Sequence, residues 1–254
     1  MVPLGMWPVK GLIATEERTS RRRRLSGDCE SMSPDTSCLL EPRDVYIPSA
    51  FCVDEPDVLH AFIEQFGFAT LVTVREGTPF ATHLPLLLDR EQGLLLGHVA
   101  RANPHWECLA ETESLAIFTG PHAYISPAWY VTQPSVPTWN YTAVHAYVSA
   151  RLTSEERTRE IVDGIVTKYE SASVNPWRND LPEEYRINLL RAVVGFELPI
   201  ARLEGKFKLG QNRPEADRER LLAHLRDAGT DARQLAKFID QRSCQSSIFA
   251  GRTR

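Results

Sequence analysis

Residues 68–99 read FATLVTVREGTPFATHLPLLLDREQGLLLGHV, and the fold class follows from how this stretch is parsed. Phe68 to Val74 is rich in the β-branched and aromatic side chains that suit a pleated, half-buried surface. Glu76-Gly77 supplies a two-residue turn, and Pro79 to Leu88 and Gly93 to Val99 predict two further strands. Strands joined by connections this short pair antiparallel, because a parallel crossover needs about a dozen residues or more.

The pattern extends outward from there. Upstream, Pro56 and Asp57 open a helix with Val58, Leu59, Phe62, Ile63 and Phe66 on one side, stopped by Gly67. Downstream, Asn103-Pro104 resembles an N-cap followed by proline at the first helical position, so a short helix runs through Trp106 and Leu109. Leu115–Phe118, Thr138–Leu152 and Val193–Leu203 predict strands. Thr153-Ser154-Glu155-Glu156 has capping-box spacing ahead of a helix with Ile161, Val162, Ile165, Val166 and Tyr169 on its apolar face. Helices follow at Glu183–Leu190, Glu215–Asp227 and Asp231–Ile239. About six mostly antiparallel strands with peripheral helices and a C-terminal helical pair predict an α+β protein built on a β-barrel.

The chain has 254 residues, 43% hydrophobic and 24% charged, as expected of a globular protein that buries its own core. Its 29 Lys+Arg against 33 Asp+Glu leave a net charge of −4, which argues against a generally basic nucleic-acid binder. No stretch approaches the ~18 apolar residues of a membrane span. Cys29, Cys38, Cys52, Cys108 and Cys244 form no C-x-x-C pair, so a disulfide framework is not expected and a cytoplasmic setting is. Residues 1–44 carry Arg21-Arg22-Arg23-Arg24 among Ser and Pro with no sustained apolar period, and predict a flexible tail. Residues 45–240 predict one domain and residues 241–254 a second flexible tail.

Four segments hold more unusual side chains than a plain core requires. The first is the strand segment with Thr82 and His83. The second contains His98, Arg101 and Asn103, where a strand ends at an arginine just before a helix N-terminus. That arrangement suits a phosphate, although taken alone the segment reads more simply as a salt-bridging surface arginine beside an ordinary cap. In the third, Trp139, Tyr141, His145 and Tyr147 alternate along one strand face, either as barrel packing or as a slot for a flat heteroaromatic ligand. His122 precedes them, and His122 and His145 read as hydrogen-bonded pocket residues, since no histidine pair has metal-ligand spacing. The fourth carries Lys206 and Lys208, on one side if extended, followed by Gln211 and Asn212. It reads as a polar linker or as a set of donors and acceptors for a ring edge.

Taken in order, Tyr46-Ile47-Pro48-Ser49-Ala50-Phe51, Ala81–Pro85, Gly97–Pro104, Gly120–Pro127, Val136–Tyr141 with His145, and Lys206–Asn212 resemble the PaiB-type FMN-binding negative transcriptional regulators. The resemblance covers about residues 46–240. It implies an FMN-binding split β-barrel, homodimeric, with FMN at the subunit interface. It further implies Arg101 at the FMN phosphate, Thr82 and His83 beside the isoalloxazine, and Lys206, Lys208, Gln211 and Asn212 closing the site. His98, Asn103, His122, Trp139, Tyr141 and His145 complete the cofactor-binding set that it suggests. The chain departs from the family pattern at Gly210, where serine is usual, and at Val45, where the family starts with methionine. The second departure leads us to expect Val45 to be the natural first residue.

The function so implied is an FMN-binding negative transcriptional regulator. An FMN-dependent oxidoreductase of the same barrel type, acting on a small substrate, is the alternative, with no clear acid/base set to support it. A cofactor-free DNA-binding regulator is the third reading. Against it, Arg213 to Arg242 holds seven basic and six acidic residues, a balance that fits packing helices better than a recognition helix.

Overall fold

The computed structural model describes residues 45–250. Nine strands form one antiparallel sheet: β1 (Cys52–Val53), β2 (Phe68–Arg75), β3 (Thr78–Pro85), β4 (Leu87–Asp89), β5 (Leu94–Ala100), β6 (Ser114–Ile125), β7 (Thr138–Val148), β8 (Arg151–Leu152) and β9 (Val193–Lys208). The helices are α1 (Pro56–Gln65), α2 (His105–Leu109), α3 (Glu155–Glu170), α4 (Glu183–Arg191), α5 (Glu215–Asp227) and α6 (Thr230–Ala250). Among the described residues no helix is long and apolar enough to cross a membrane. The expected N-terminal tail, residues 1–44, lies outside the described residues.

The strand order is β3-β2-β6-β7-β9-β5-β4, with β1 and β8 also pairing with β9. Its two ends, β3 and β4, are consecutive in the chain and separated only by Leu86, which is fully buried. The sheet must therefore curl until its edges meet, giving a barrel with a seam at that residue. The β2–β3 turn runs through Glu76 (φ 51°) and Gly77 (φ 77°), and two successive positive φ values are what a tight hairpin with right-twisted strands requires.

Inside, Ala69, Leu71, Ala116, Phe118, Val144 and Ala146 form one wall, and Leu59, Phe62 and Ile63 of α1 pack against it. Phe62, Phe207 and Phe238 join α1, β9 and α6, with ring centroids 5.0–6.0 Å apart. A second apolar cluster packs α5 and α6 on the far half of β6, through Ile125, Leu221, Leu225 and Leu235.

Several elements differ from expectation, each for a local reason. The described residues hold nine strands rather than about six, since Pro79–Leu88 divides at the seam, Thr138–Leu152 divides into β7 and β8, and the two-residue β1 is added on β9. β6 continues past Phe118 to Ile125, because Gly120-Pro121 sits in a bulge between Thr119 and His122 rather than ending the strand. β9 continues past Leu203 to Lys208, so the fourth segment is largely strand. Ser154, not Thr153, caps α3, its hydroxyl accepting from Arg157 N at 3.2 Å. α6 is helical through Ala250, beyond the Ile239 end that was expected.

Candidate functional site

Alternation along the strands separates two faces. In β7, Asn140, Thr142, Val144 and Ala146 point inward and are buried, which leaves Trp139, Tyr141, Ala143, His145 and Tyr147 on the outer face. Strand pairing then sets their neighbours. His145 lies between Ile117 of β6 and Glu204 of β9, and Tyr141 lies between His122 and Lys208. Ala143 pairs with Lys206, and Thr70, opposite Ile117, pairs with His83 on β3. The sheet thus gathers seven of the expected residues on one outer surface: His83, His122, Trp139, Tyr141, His145, Lys206 and Lys208.

Most of the charged groups on this surface have a partner within the protein. Glu204 is buried on it, with Arg202 Nε 3.2 Å away and the Tyr147 hydroxyl donating from 3.4 Å. The Arg202 guanidinium stacks on the Tyr147 ring at 3.9 Å. Lys206 Nζ donates to Tyr46 O at 2.7 Å and lies 5.3 and 5.6 Å from the Tyr46 and Tyr141 rings. Lys208 Nζ donates to Thr138 Oγ1. His145 Nδ1 is sealed from solvent and has no hydrogen-bond partner among the described residues. Burial pushes the pKa of this imidazole down, against an opposing pull from Glu204, with Lys206 lowering it further. The ring is therefore neutral near pH 7 and can donate from one nitrogen or accept at the other.

Such a surface can hold a flat heteroaromatic ring carrying an anionic group. Tyr141, Trp139 and Ile117 offer a bed for the ring, Lys206 and Lys208 lie on one side, and the His145 ring offers a polar contact. Phe68 (67% exposed), Val74, Tyr124 and Trp139 (55% exposed) border the same surface and stay in contact with water.

The other expected residues lie elsewhere. Thr82 faces inward, and its Oγ1 pairs with Asn103 Nδ2 at 3.1 Å and with His105 Nδ1 at 2.7 Å. Asn103 Oδ1 accepts from His105 N at 3.0 Å, which fixes the start of α2. Both residues anchor α2 to β3. Arg101 donates from Nε to Arg191 O at 2.7 Å and from Nη2 to Val193 O at 3.0 Å, so this guanidinium holds the C-terminal end of α4. His98 lines a separate pocket beneath α3 and α4. Gln211 closes its own turn, donating to Phe207 O at 2.6 Å and accepting from Leu209 N at 2.8 Å, and Asn212 beside it is exposed. Among the described residues, no group of three or more His, Cys, Asp and Glu gathers as a metal site.

Sequence reasoning missed Arg202, Glu204 and His105. The first two were legible in principle, since the alternation that pairs Lys206 with Lys208 also places 204 and 202 beside them. His105 carried no such signal.

A family profile described as "Putative FMN-binding domain" matches residues 45–202. The Protease synthase and sporulation protein PAI 2 of Bacillus subtilis is 34% identical over 204 residues, covering 78% of this chain and 98% of that protein. Among solved structures, the FAD and heme binding protein from Mycobacterium smegmatis superposes with a TM-score of 0.50 at 17% identity, over 62% of this chain and 73% of that one. The flavocytochrome Anf3 from Azotobacter vinelandii gives a TM-score of 0.50 at 14% identity, over 62% and 69%. These two likenesses carry the fold.

Proposed function

The chain belongs to the family of FMN-binding domains matched over residues 45–202, and from that premise we propose that it is an FMN-holding regulatory protein that works as a homodimer. The observation that carries the reading is the outer surface of β6, β7 and β9, where aromatic rings, two lysines and the neutral His145 imidazole converge. In this reading Lys206 and Lys208 take the phosphate, because both ammonium groups lie on this surface with one of their three N–H donors each spent within the protein, whereas Arg101 lies off it, bound to Arg191 O and Val193 O. Tyr141 and Trp139 flank the ring, and His145 hydrogen-bonds its polar edge. FMN, when bound, supplies reversible redox chemistry, while the protein supplies position and electrostatics. Four large apolar residues exposed on one sheet face support a second copy of the chain covering them. The regulatory role is what the resemblance to the PaiB-type regulators implies, and the near-neutral charge of the α5–α6 span favours regulation through the bound cofactor over a direct grip on DNA.

The test is titration of the purified protein with FMN, followed by quenching of flavin fluorescence, with the mass read by light scattering. We expect saturation at one FMN per subunit, a dimeric mass, and about ten- to hundredfold weaker binding in the Lys206→Ala/Lys208→Ala double variant. A protein that neither saturates with FMN nor dimerises overturns the reading. Unchanged transcription on deletion of the gene overturns its regulatory half.

A further inference from the structure

A pocket of about 370 Å³ lies between α3, α4 and the start of β9, with His98 of β5 in its wall. Its volume is within the range of small-molecule sites. Val162, Val166, Leu189 and Leu190 make the interior apolar. Charges are confined to side chains already paired with each other. Arg159 Nη2 is 2.9 Å from Glu183 Oε1, and Arg186 is 3.4 Å from Glu183 and 3.7 Å from Asp163. Two cations and two anions cancel, so this wall does not recruit an ion.

Asn179 Nδ2 donates to Asp163 Oδ1 at 3.4 Å, and His98 is the lining residue with a buried nitrogen left without a partner. Its Nδ1 is sealed from solvent without a hydrogen-bond partner among the described residues, and burial lowers the pKa of the ring, which is neutral near pH 7. Of the two neutral tautomers, the one with the proton on Nε2 leaves a bare lone pair at the sealed Nδ1. That costs less than an orphaned N–H. Nε2–H is then the donor that His98 presents. The pocket lies at the Val193 end of β9, thirteen residues of strand before Lys206, and shares no lining residue with the surface assigned to FMN, although both are built on that strand.

We propose that this pocket is a second small-molecule site, taking an uncharged apolar molecule with one carbonyl or hydroxyl oxygen that accepts from His98 Nε2. Acetophenone is a suitable probe for the full-length protein, followed by calorimetry and by the imidazole ¹⁵N shifts of His98. Saturable binding that moves the His98 Nε2 resonance is expected. His98→Phe should weaken acetophenone about tenfold while changing ethylbenzene, which lacks the oxygen, by less than about twofold. Val166→Trp fills the cavity and should abolish binding of both probes, with FMN titration unaffected. That last readout separates failure of this site from failure of the flavin reading, and it serves if the His98 variant does not fold. Acetophenone that does not saturate, leaves His98 unshifted, or binds Val166→Trp as well as the natural protein overturns the proposal.

Discussion

His105 has both ring nitrogens engaged inside the barrel wall, Nδ1 against Thr82 Oγ1 at 2.7 Å and Nε2 against Thr73 Oγ1 at 2.9 Å. Thr73 Oγ1 also meets Ser114 Oγ at 2.6 Å, so one chain of hydrogen bonds ties α2 to β2, β3 and β6. His105→Leu keeps much of the volume but leaves two threonine hydroxyls short of a partner. We expect a loss of about 2–4 kcal/mol in urea unfolding with the fold retained. The same ring gives a pH signature. Burial lowers the pKa values of His105, His98 and His145 from 6.5. Below pH 6.5 the unfolded chain binds protons that the folded rings refuse. Their contribution to stability is therefore complete above 6.5 and is lost as the pH falls from there through the folded values. The unfolding free energy from urea titration should drop across that window by up to about 1.4 kcal/mol per pH unit per ring, and less steeply in His105→Leu. A free energy that is flat or rising on acidification contradicts this. His105 also shows where reading the sequence stops. Asn103-Pro104 announces a helix start, but nothing local says that the next residue hydrogen-bonds two strands 23 and 32 residues away. The outer face of β7 was legible, because alternation alone assigns Trp139, Tyr141 and His145 to one side.

Elements hold these residues in place through close approach. At Gly205 in β9, an added Cβ lies 2.4 Å from Leu59 Cδ2 and 2.7 Å from Val53 O, so α1 and β1 are seated against bare backbone there. Gly205→Ala forces α1 or β1 away and should cost about 1–3 kcal/mol, read by chemical denaturation. Because Lys206 is the next residue, the same variant should also weaken FMN, whereas a site independent of β9 would leave the titration unchanged. Asp217 plays a comparable part for α5. Its Oδ1 accepts from Val131 N at 2.7 Å and Thr132 N at 3.0 Å, fastening the loop that follows β6. The Thr132 N–H foremost holds this carboxyl below its ordinary 3.8, so its contribution is present above that pH and is lost as the pH falls through the folded value. Asp217→Ala should abolish amide-exchange protection at Val131 and Thr132 and loosen the stack of Trp129 on His224, now 5.2 Å between centroids. Unchanged protection refutes the assignment. The bounds of α5 were readable from its pattern, but an acidic residue in a first helical turn looks the same whether it faces water or a loop 85 residues back. Likewise Gly-Pro and Glu-Gly-Lys read as punctuation. Pairing across β6, β7 and β9 overrode both, and that pairing is what sets the lysines opposite Tyr141 and Ala143.

At the scale of the whole barrel, the seam at Leu86 and the open outer surface have linked consequences. Closing the sheet on itself leaves β2 and β6 with inner faces filled by core and outer faces carrying Phe68, Val74 and Tyr124 towards water. A folded monomer gains nothing by exposing these side chains. A second copy that covers them would also enclose the surface around Tyr141, His145 and Lys208, removing water from the lysines and strengthening their hold on a phosphate. Cofactor binding and dimerisation then reinforce one another, since whatever binds the dimer and not the monomer shifts the association by mass action. Phe68→Lys places a charge in the surface that the proposed second copy would cover, but outside the cluster on β7 and β9. It should give a monomer by light scattering, and FMN affinity should fall with it by about tenfold or more. For the natural protein, dilution below the dimer dissociation constant should lower apparent FMN affinity, and saturating FMN should restore the dimeric mass. A Phe68→Lys monomer that binds FMN as tightly as the natural chain would show that each barrel holds its cofactor alone.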